Sequence, residues 1–277
     1  MERETILVPV TNFSIRQICD SGQCFRMAPL EDGRYQVIAH GRRLELGQDG
    51  ETVTFYCGRQ DYEDVWKRYF DLDADYGEII GRIDPDDAYL TAAAQFGSGI
   101  RILNQDLWEM IITFIISQQN NIKRIRRCID RICEKYGVWR DGFFDFPTPE
   151  ALAEATEEEL RACGLGYRSR YLAGTARMAV DGEVCLGRLK SMGYEEAKTE
   201  LLKLPGIGGK VADCVCLFAL HHLDAFPVDT HIRQVLDRWY PDGFPAERYA
   251  GYLGVLQQYT FYYDLMGEGR EKQEKSS

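Results

Sequence analysis

Residues 204–210, Leu-Pro-Gly-Ile-Gly-Gly-Lys, form the segment that decides the fold of this chain. Helix-forming sequence flanks it at 194–203 and at 209–220. Two glycines at the bends, Gly206 and Gly208, let backbone N–H groups approach a ligand, and the second helix aims its positive N-terminus at the same place. The segment therefore predicts two helices joined by a phosphate-binding turn. A plain turn between helices, with glycine as a C-terminal cap, is the alternative.

Lys210 lies in the first turn of the second helix, where the helix dipole disfavours a cation. A residue that breaks a local rule in this way often marks a functional site. Cys214 follows one turn later on the same face, and an ammonium group lowers the pKa of a neighbouring thiol. The pair predicts a reactive site. The alternatives are a lysine that reaches solvent and a small cysteine in the core.

Asp229 follows Lys210 by nineteen residues and precedes a helical run at 232–240. It is in position to cap that helix, and capping alone explains an aspartate here. A fixed carboxylate also stabilises a developing cation or carries protons. His231 falls in the first turn of the same helix, either near a bound phosphate or as a helix-start histidine of no consequence.

The part of the chain before residue 87 has the pattern of antiparallel strands. Polar and apolar residues alternate at 35–40, 44–46 and 52–57, with glycine-containing turns between them. A helix is predicted next, at 61–70.

From about residue 87 the chain is predicted to be nearly all helical. Apolar residues recur at helical spacing over 107–115 and 122–132, and the polar segment 117–121 interrupts them. Thr148 and Thr156 are predicted to cap two short helices. Strands and helices do not alternate, which excludes a parallel-sheet fold. The predicted class is α+β, with an N-terminal antiparallel β domain at 1–86, a helical domain at 87–266 and a disordered tail at 267–277.

The composition of the 277 residues is that of a globular protein, with 45% hydrophobic and 28% charged residues. No run of about 18 apolar residues occurs, and the acidic start lacks the features of a secretory signal. We therefore expect a cytoplasmic protein with no membrane partner. Nine cysteines without a C-x-x-C pair predict reduced thiols. Because none follows Cys216, we expect no C-terminal iron–sulfur cluster.

The net charge of −11 taken alone argues against a nucleic-acid partner. The charge is uneven along the sequence, however. Residues 1–95 hold 10 basic and 18 acidic side chains, a balance of −8, whereas residues 118–140 hold 7 basic and 2 acidic ones, a balance of +5. This basic segment permits contact with phosphates, since exposed charges beyond about 8 Å are screened at physiological salt.

The hairpin at 204–210, followed by Asp229 within Pro-Val-Asp-Thr-His, resembles the helix-hairpin-helix-GPD superfamily of DNA glycosylases. Four further segments are similar to its 8-oxoguanine DNA glycosylase branch: Ser21–Arg26 (Ser-Gly-Gln-Cys-Phe-Arg), Gly164–Tyr171 (Gly-Leu-Gly-Tyr-Arg-Ser-Arg-Tyr), Lys210–Cys214 (Lys-Val-Ala-Asp-Cys) and Gly254–Phe261 (Gly-Val-Leu-Gln-Gln-Tyr-Thr-Phe). The resemblance extends from about residue 13 to residue 265, with the motifs in the family's order.

The resemblance implies a monomeric repair enzyme that flips 8-oxoguanine out of double-stranded DNA. Lys210 would attack C1′ of the sugar and release the base, and the resulting Schiff base would undergo β-elimination 3′ to the lesion. The lysine must first lose its proton, which burial and a helix N-terminus favour. Asp229 would stabilise the oxocarbenium-like sugar, and Cys214 paired with Lys210 would face the lesion as a dipole.

Base recognition also follows from the resemblance. The carbonyl of Gly22 would accept the N7–H that only the oxidised base possesses, because N7 of guanine is an acceptor. Gln257 would contact the Watson–Crick edge, and Phe261 would stack on the base. Gln257 on a solvent-facing side of its helix and Phe261 in the core are the alternatives, and a one-residue shift in register would promote Gln258.

The resemblance places four residues at the orphaned base. Gln119 stands where the family's inserted asparagine is expected, which weakens the expectation of strict opposite-base discrimination. Arg124 and Arg168 match the two arginines that contact the orphaned cytosine, and Tyr167 matches the wedge. Phosphate contacts by both arginines are the alternative, and these would give affinity without sequence information.

No cofactor is expected to be required. In the superfamily a monovalent cation bridges the hairpin and a phosphate, and the backbone carbonyls of Leu202, Leu204 and Ile207 are the corresponding ligands. No side-chain cluster indicates a catalytic metal.

Three other functions stay open. A glycosylase for an alkylated purine would prefer aromatic residues over Gly22, Cys214 and Gln257. A non-catalytic DNA-binding hairpin would need neither Lys210 nor Asp229. An enzyme that forms a Schiff base with a small carbonyl compound would normally carry its lysine in a βα barrel, which this chain does not predict.

Overall fold

The structure, a computed structural model, describes residues 4–268. The disordered tail predicted at 267–277 lies outside the described residues from 269 onward. Its first two residues end a π-helical turn, Asp264–Glu268.

Five antiparallel strands form the N-terminal sheet, in the order β1-β5-β4-β3-β2. The strands are β1 (Ile6–Pro9), β2 (Met27–Pro29), β3 (Tyr35–Ala39), β4 (Arg42–Asp49) and β5 (Thr52–Phe55). The predicted antiparallel meander is confirmed by β3, β4 and β5. The two edge strands, Ile-Leu-Val-Pro and Met-Ala-Pro, are additional, because neither contains a polar residue and so neither shows an alternation.

Alternation along the central strands places one face of the sheet in the core. Val37 pairs with Leu44 and Leu46 pairs with Phe55, and all four side chains are fully buried. A short helix, α1 (Ile15–Asp20), separates β1 from β2. The helix predicted at 61–70 consists of α2 (Arg59–Asp61), a π-helical turn (Tyr62–Trp66) and α3 (Lys67–Tyr69). Its aromatic residues join the core beneath the sheet.

The described chain after α3 is helical, as predicted, apart from a small hairpin of β6 (Trp139–Arg140) and β7 (Phe143–Phe144). The α-helices are α4 (Tyr76–Gly81), α5 (Ala88–Phe96), α6 (Leu107–Ser117), α7 (Ile122–Tyr136), α8 (Pro149–Ala153), α9 (Glu157–Leu160), α10 (Ser169–Val180), α11 (Leu186–Leu189), α12 (Tyr194–Leu201), α13 (Gly209–Phe218), α14 (Thr230–Trp239) and α15 (Leu253–Tyr263). Thr148 caps α8, and Thr156 with Glu159 forms the predicted capping box of α9.

Helices α6 and α7 carry the polar segment 117–121 between them. The spacing predicts one buried face for each helix, and α7 has one, with Ile125, Ile129 and Ile132 buried. Helix α6 differs, because all residues from Leu107 to Ile116 are buried. It is a central helix that packs against α7, α10 and α13.

The N-terminal and helical parts are joined by the buried guanidinium of Arg101, which is 3% exposed. It donates to the carbonyls of Thr11 (3.0 Å) and Asn12 (3.2 Å) beyond β1, and to those of Asp71 (2.6 Å) and Ala74 (3.1 Å) before α4. One side chain therefore holds several segments of backbone together. The domain boundary at residue 87 stays a prediction.

Replacing Arg101 with methionine is expected to lower the free energy of unfolding by about 3 kcal/mol, because four partly buried carbonyls lose a charged donor. Urea denaturation measures the change. Arg16→Met is the matched control, because the side chain of Arg16 is 70% exposed and its ion pair with Asp20 lies one helical turn away. We expect this control to change stability by less than about 0.5 kcal/mol. Equal losses in the two variants would contradict the role of Arg101.

Candidate active site and nucleic-acid interface

The predicted hairpin is present, with α12 and α13 joined by a turn at 202–208. Gly206 has φ +80°, which favours glycine. A Cβ at this position would lie 2.6 Å from Cγ of Tyr171, so the hairpin closes tightly against α10. Thr175 on α10 also donates its hydroxyl to the carbonyl of Pro205 at 3.2 Å. The turn is therefore fixed by the helix beneath it.

A buried carboxylate braces the two helices of the hairpin. Asp213, in the middle of α13, is 8% exposed. Its Oδ1 accepts a hydrogen bond from the Tyr194 hydroxyl (2.7 Å) and lies 2.8 Å from Nζ of Lys198, both on α12. The bracing role of Asp213 is not predicted from the sequence. A charged residue inside an otherwise apolar helix is the pattern that indicates it.

The N-terminus of α13 is open to solvent. Gly208 is the N-cap residue and makes no side-chain cap. No heavy atom lies within 4 Å of the place where a Cβ of Gly208 or Gly209 would stand. The first N–H groups of a helix have no partner within it. This end of α13 therefore offers donors to an anion, as the prediction of a phosphate-binding turn requires.

Lys210 extends from this end of α13 towards buried groups. Its Nζ lies 5.5 Å from the centre of the Phe114 ring, and its charge lowers the pKa of the buried Cys214 thiol, as expected. Burial raises the pKa of Cys214 to about 11, and Lys210 only partly offsets this. At neutral pH the thiol is therefore protonated.

Asp229 is the N-cap of α14, as predicted, and its Oδ1 accepts a hydrogen bond from the backbone N–H of Ile232 at 2.9 Å. The same carboxylate contributes to the raised pKa of Cys214, so its charge acts on the same buried thiol as the charge of Lys210 does. Lys210 and Asp229, on two different helices, therefore lie within electrostatic range of one side chain.

Gly22 and Phe261 lie against each other next to the start of α14. Gly22 has φ +76°, and a Cβ there would be 3.5 Å from Cε1 of Phe261. The ring of Phe261 contacts the imidazole of His231 edge-on, with 5.7 Å between the ring centres. Nδ1 of His231 lies 2.7 Å from Oδ2 of Asp264. His231 is thus in the first turn of α14, as predicted, and it also supports Phe261.

Gln257 lies one turn before Phe261 on α15 and is 3% exposed, which excludes the solvent-facing alternative. Its amide nitrogen donates to the carbonyl of Pro227 at 3.0 Å, two residues before Asp229. The hydrogen bond from Gln257 therefore ends on the backbone just before the Asp229 cap. Gly22, Gln257 and Phe261 are therefore connected to the start of α14, where Asp229 is the cap, and the charges of Asp229 and Lys210 act on the same buried thiol.

The loop of Gly22 is held by the side chain of the next residue. The amide nitrogen of Gln23 donates to Ser21 Oγ and to the carbonyl of Arg101, both at 2.9 Å, and its amide oxygen accepts from Leu103 N at 2.9 Å. Gln105 donates to the backbone carbonyl of Gln23 at 2.7 Å. Gln23 positions Gly22, a role that the sequence motif contains but does not reveal.

Arg26 ends the same motif in a buried ion pair. Its Nη1 lies 3.6 Å from Oε2 of Glu109 at the start of α6. Burial raises the pKa of Glu109 to about 7, and the Arg26 guanidinium opposes this rise. The pair ties the Gly22 loop to the central helix.

The polar segment 117–121 lies between the hairpin and the Gly164–Tyr171 motif. Gln118 donates its amide to the carbonyl of Gly206 at 2.7 Å. Gln119, exposed and with φ +48°, accepts a hydrogen bond from the Tyr167 hydroxyl at 3.4 Å. Tyr167 is 43% exposed. Gln119 and Tyr167 therefore protrude side by side from the surface beside the hairpin.

The two arginines predicted to contact the orphaned base are in different environments. Arg168 is 3% exposed and donates to the carbonyls of Gln118 and Gln119, so in this structure it supports the polar segment from below. Arg124 is exposed and reaches the carbonyl of Gly164 at 3.4 Å. It belongs to an exposed basic row on α7: Lys123, Arg124, Arg127, Arg131 and Lys135.

The three carbonyls predicted to hold a cation lie at the turn of the hairpin. Leu202 is the C-cap residue of α12 and is 45% exposed. The carbonyl of Leu204 accepts a hydrogen bond from Ile207 N at 3.1 Å, which leaves its second lone pair for another partner. Within residues 4–268, no group of three or more His, Cys, Asp or Glu side chains is arranged to hold a metal, and no helix is long and apolar enough to cross a membrane.

Comparison with known families matches two models to this chain. Residues 5–111 match the N-terminal domain of 8-oxoguanine DNA glycosylase, and residues 112–246 match the HhH-GPD superfamily of base excision DNA repair proteins. Together with the hairpin and the Lys210–Asp229 site, these matches define the class as the helix-hairpin-helix DNA glycosylases.

Individual relatives are similar over most of this chain. The 8-oxoguanine glycosylase/lyase of Clostridium acetobutylicum in its apo-form is 38% identical, with a TM-score of 0.87, over 95% of this chain and 100% of that one. Its complex with double-stranded DNA containing cytosine opposite 8-oxoguanine gives a TM-score of 0.88 at 37% identity, over 99% and 100% of the two chains. The N-glycosylase/DNA lyase of Saccharomyces cerevisiae is 37% identical over 75% of this chain, which spans 59% of the yeast protein. The chain belongs to the 8-oxoguanine DNA glycosylase branch of the HhH-GPD superfamily.

Replacing Gly206 with alanine is expected to destabilise the protein by about 1–3 kcal/mol, because the methyl group meets the Tyr171 ring and φ is positive. Thermal unfolding monitored by circular dichroism measures this loss. Gly209→Ala is the control from the same turn, because no heavy atom surrounds that position and alanine favours the helix. A control that loses as much stability as Gly206→Ala would show that the close approach of Tyr171 does not matter.

Proposed function

We propose that this protein is a bifunctional DNA glycosylase and AP lyase that removes 8-oxoguanine from double-stranded DNA. The observation that carries the proposal is that the charges of Lys210 and Asp229 act on one buried thiol from two helices, while the helix start capped by Asp229 also contacts Phe261, which lies against Gly22. A DNA-binding hairpin without catalytic activity needs no such arrangement. Membership of the family and the named activities of its relatives support the same function.

Lys210 is the proposed nucleophile. The lone pair of its neutral amine forms a bond to C1′ while the bond from C1′ to N9 breaks, and the electron pair of that bond leaves with the base. The sugar ring then opens to a Schiff base. Loss of a proton from C2′ expels the 3′ phosphate and cuts the strand. The Nζ of Lys210 lies 5.5 Å from the centre of the Phe114 ring, at the open end of α13 where the proposed substrate backbone binds.

Asp229 is proposed to stabilise the positive charge that develops on the sugar. The cap hydrogen bond from Ile232 holds the carboxylate in place before any substrate binds. A charge that is already oriented needs no reorganisation during the reaction.

The base pocket is proposed to select an oxidised purine by one carbonyl and one amide. The Gly22 carbonyl accepts the N7–H of 8-oxoguanine, and a site built around such a donor rejects a base without it. Phe261 supplies a stacking surface and Gln257 contacts the Watson–Crick edge. A pocket for an alkylated purine has no matching use for these polar groups.

Double-stranded DNA is the proposed partner, bound by one copy of the protein. The open N-terminus of α13, with Gly206 and Gly208, is proposed to bind a phosphate, and His231 lies at a second helix start nearby. Gln119 and Tyr167 are proposed to enter the duplex at the extruded nucleotide. Arg124 and Arg168 are proposed to contact the orphaned base, and Arg168 must leave its carbonyl partners to do so.

No cofactor is proposed to be required. The carbonyls of Leu202, Leu204 and Ile207 suit a monovalent cation because such ions prefer neutral oxygen ligands. The cation is proposed to support the hairpin against the DNA backbone and takes no part in the chemistry.

Lys210→Gln is expected to abolish base release and covalent trapping by borohydride, because the amide cannot form an imine. The substrate is a duplex with one 8-oxoguanine, and gel electrophoresis detects the crosslink. Binding to the same duplex is expected to persist. Lys203→Gln is the matched control, because Lys203 is an exposed lysine next to the hairpin. Full crosslinking by Lys210→Gln would refute the assignment.

Asp229→Asn is expected to slow single-turnover base release by about 100-fold, since it removes the charge that stabilises the sugar. Stability is expected to change little, because asparagine caps a helix as well as aspartate does. Quenched-flow measurement of the single-turnover rate tests the first expectation and thermal unfolding tests the second. An unchanged rate of base release would show that Asp229 acts only as the N-cap of α14.

A further inference from the structure

Two adjacent glutamines on α15 are both buried, Gln257 at 3% and Gln258 at 4% exposure. Their amides are joined in a short chain of hydrogen bonds. Gln257 Nε2 donates to the carbonyl of Pro227 at 3.0 Å, and Gln258 Nε2 donates to Gln257 Oε1 at 3.1 Å. Gln258 is thus the partner of the residue proposed to contact the Watson–Crick edge of the base.

The donor and acceptor roles of the groups fix the direction of these two hydrogen bonds. The carbonyl of Pro227 can only accept, so Gln257 must turn its amino group towards it. The oxygen of Gln257 then faces Gln258, which must in turn present its own amino group. Either amide flipped by 180° would bring two acceptors or two donors together. The oxygen of Gln257 is therefore held in one direction from two sides.

Gln258 maintains this arrangement at a cost. Its own Oε1 is buried and has no hydrogen-bond partner among the described residues. A buried acceptor without a partner costs about 1–3 kcal/mol. An apolar side chain of similar size would fill the same space without that cost, so packing alone does not account for an amide here.

We propose that Gln258 is a positioning residue that fixes the Gln257 oxygen as an acceptor and thereby selects a base whose Watson–Crick edge donates. This inference rests on the proposed function. The Watson–Crick edge of 8-oxoguanine donates through N1–H and the 2-amino group, whereas that of an oxidised adenine has an acceptor at N1. Gln258 acts on the base through Gln257.

The test compares affinities for two duplexes that differ at one nucleotide, 8-oxoguanine or a tetrahydrofuran abasic analogue. Measurements in the Lys210→Gln background prevent turnover, and fluorescence anisotropy gives both dissociation constants. The ratio of the two constants isolates recognition of the base, because a loss of folded protein weakens both affinities together.

Gln258→Met keeps the length of the side chain and removes the donor. We expect it to lower the preference for 8-oxoguanine over the abasic analogue about tenfold. Gln258→Glu keeps the shape, but its ionised carboxylate can only accept and so opposes the Gln257 oxygen. We expect a larger loss at pH 8 that is partly recovered at pH 5.5, where a protonated carboxyl can donate again.

Thr260→Val is the matched control. Thr260 is a buried neighbour on the same helix whose Oγ1 also has no partner among the described residues, and valine has the same shape. We expect the preference to stay within twofold of the parent value. Two results would overturn the role of Gln258. One is a preference for 8-oxoguanine in Gln258→Met that stays within twofold of the parent value. The other is a preference in Gln258→Glu that does not change with pH.

Failure of the proposed function gives a different result. The unmodified protein would then neither release 8-oxoguanine nor form a borohydride crosslink to it. A parent that does both, combined with an unchanged preference in Gln258→Met, would contradict the positioning role alone.

Discussion

The proposed catalytic site depends on how the N-terminal sheet is fixed to the helical part of the chain. Gly22 comes from the first part and Phe261 from α15, and the loop that carries Gly22 is bonded to the segment at 101–105. Arg101 holds that segment through four carbonyls, and Gln23 uses its side-chain amide to hold the Gly22 loop to the same segment. A carbonyl that is proposed to recognise a single N–H must be held in place, and these hydrogen bonds hold the loop of Gly22.

A second set of contacts joins three parts of the proposed DNA surface. Gln118 bonds to the hairpin at Gly206, and Arg168 bonds to the carbonyls of Gln118 and Gln119. Displacement of the polar segment by a duplex would therefore break bonds to both the hairpin and the Tyr167 loop. These contacts would link the proposed insertion into the duplex with the proposed phosphate contact.

Local signals predicted much of this structure. The helices of the hairpin follow from periodicity, the Asp229 cap from residue type, and the closeness of Lys210 and Cys214 from their spacing on one helix. Long-range burial was not predictable in the same way. The sequence favours an exposed Arg168, whereas two backbone carbonyls distant in the chain keep it inside. The pKa of Cys214 depends on how deeply α13 is buried, which no neighbouring residue reveals. The hydrogen bond from Gln258 to Gln257 was likewise not predictable, because it depends on the direction of each side-chain amide.

Charge is distributed unevenly over this chain. The exposed basic row of α7 reaches the Gly164–Tyr171 segment, whereas residues 1–95 carry most of the excess negative charge. A polyanion is attracted by the first and repelled by the second. A duplex that approached this protein would therefore be turned towards the α7 row and the neighbouring polar segment before any contact formed.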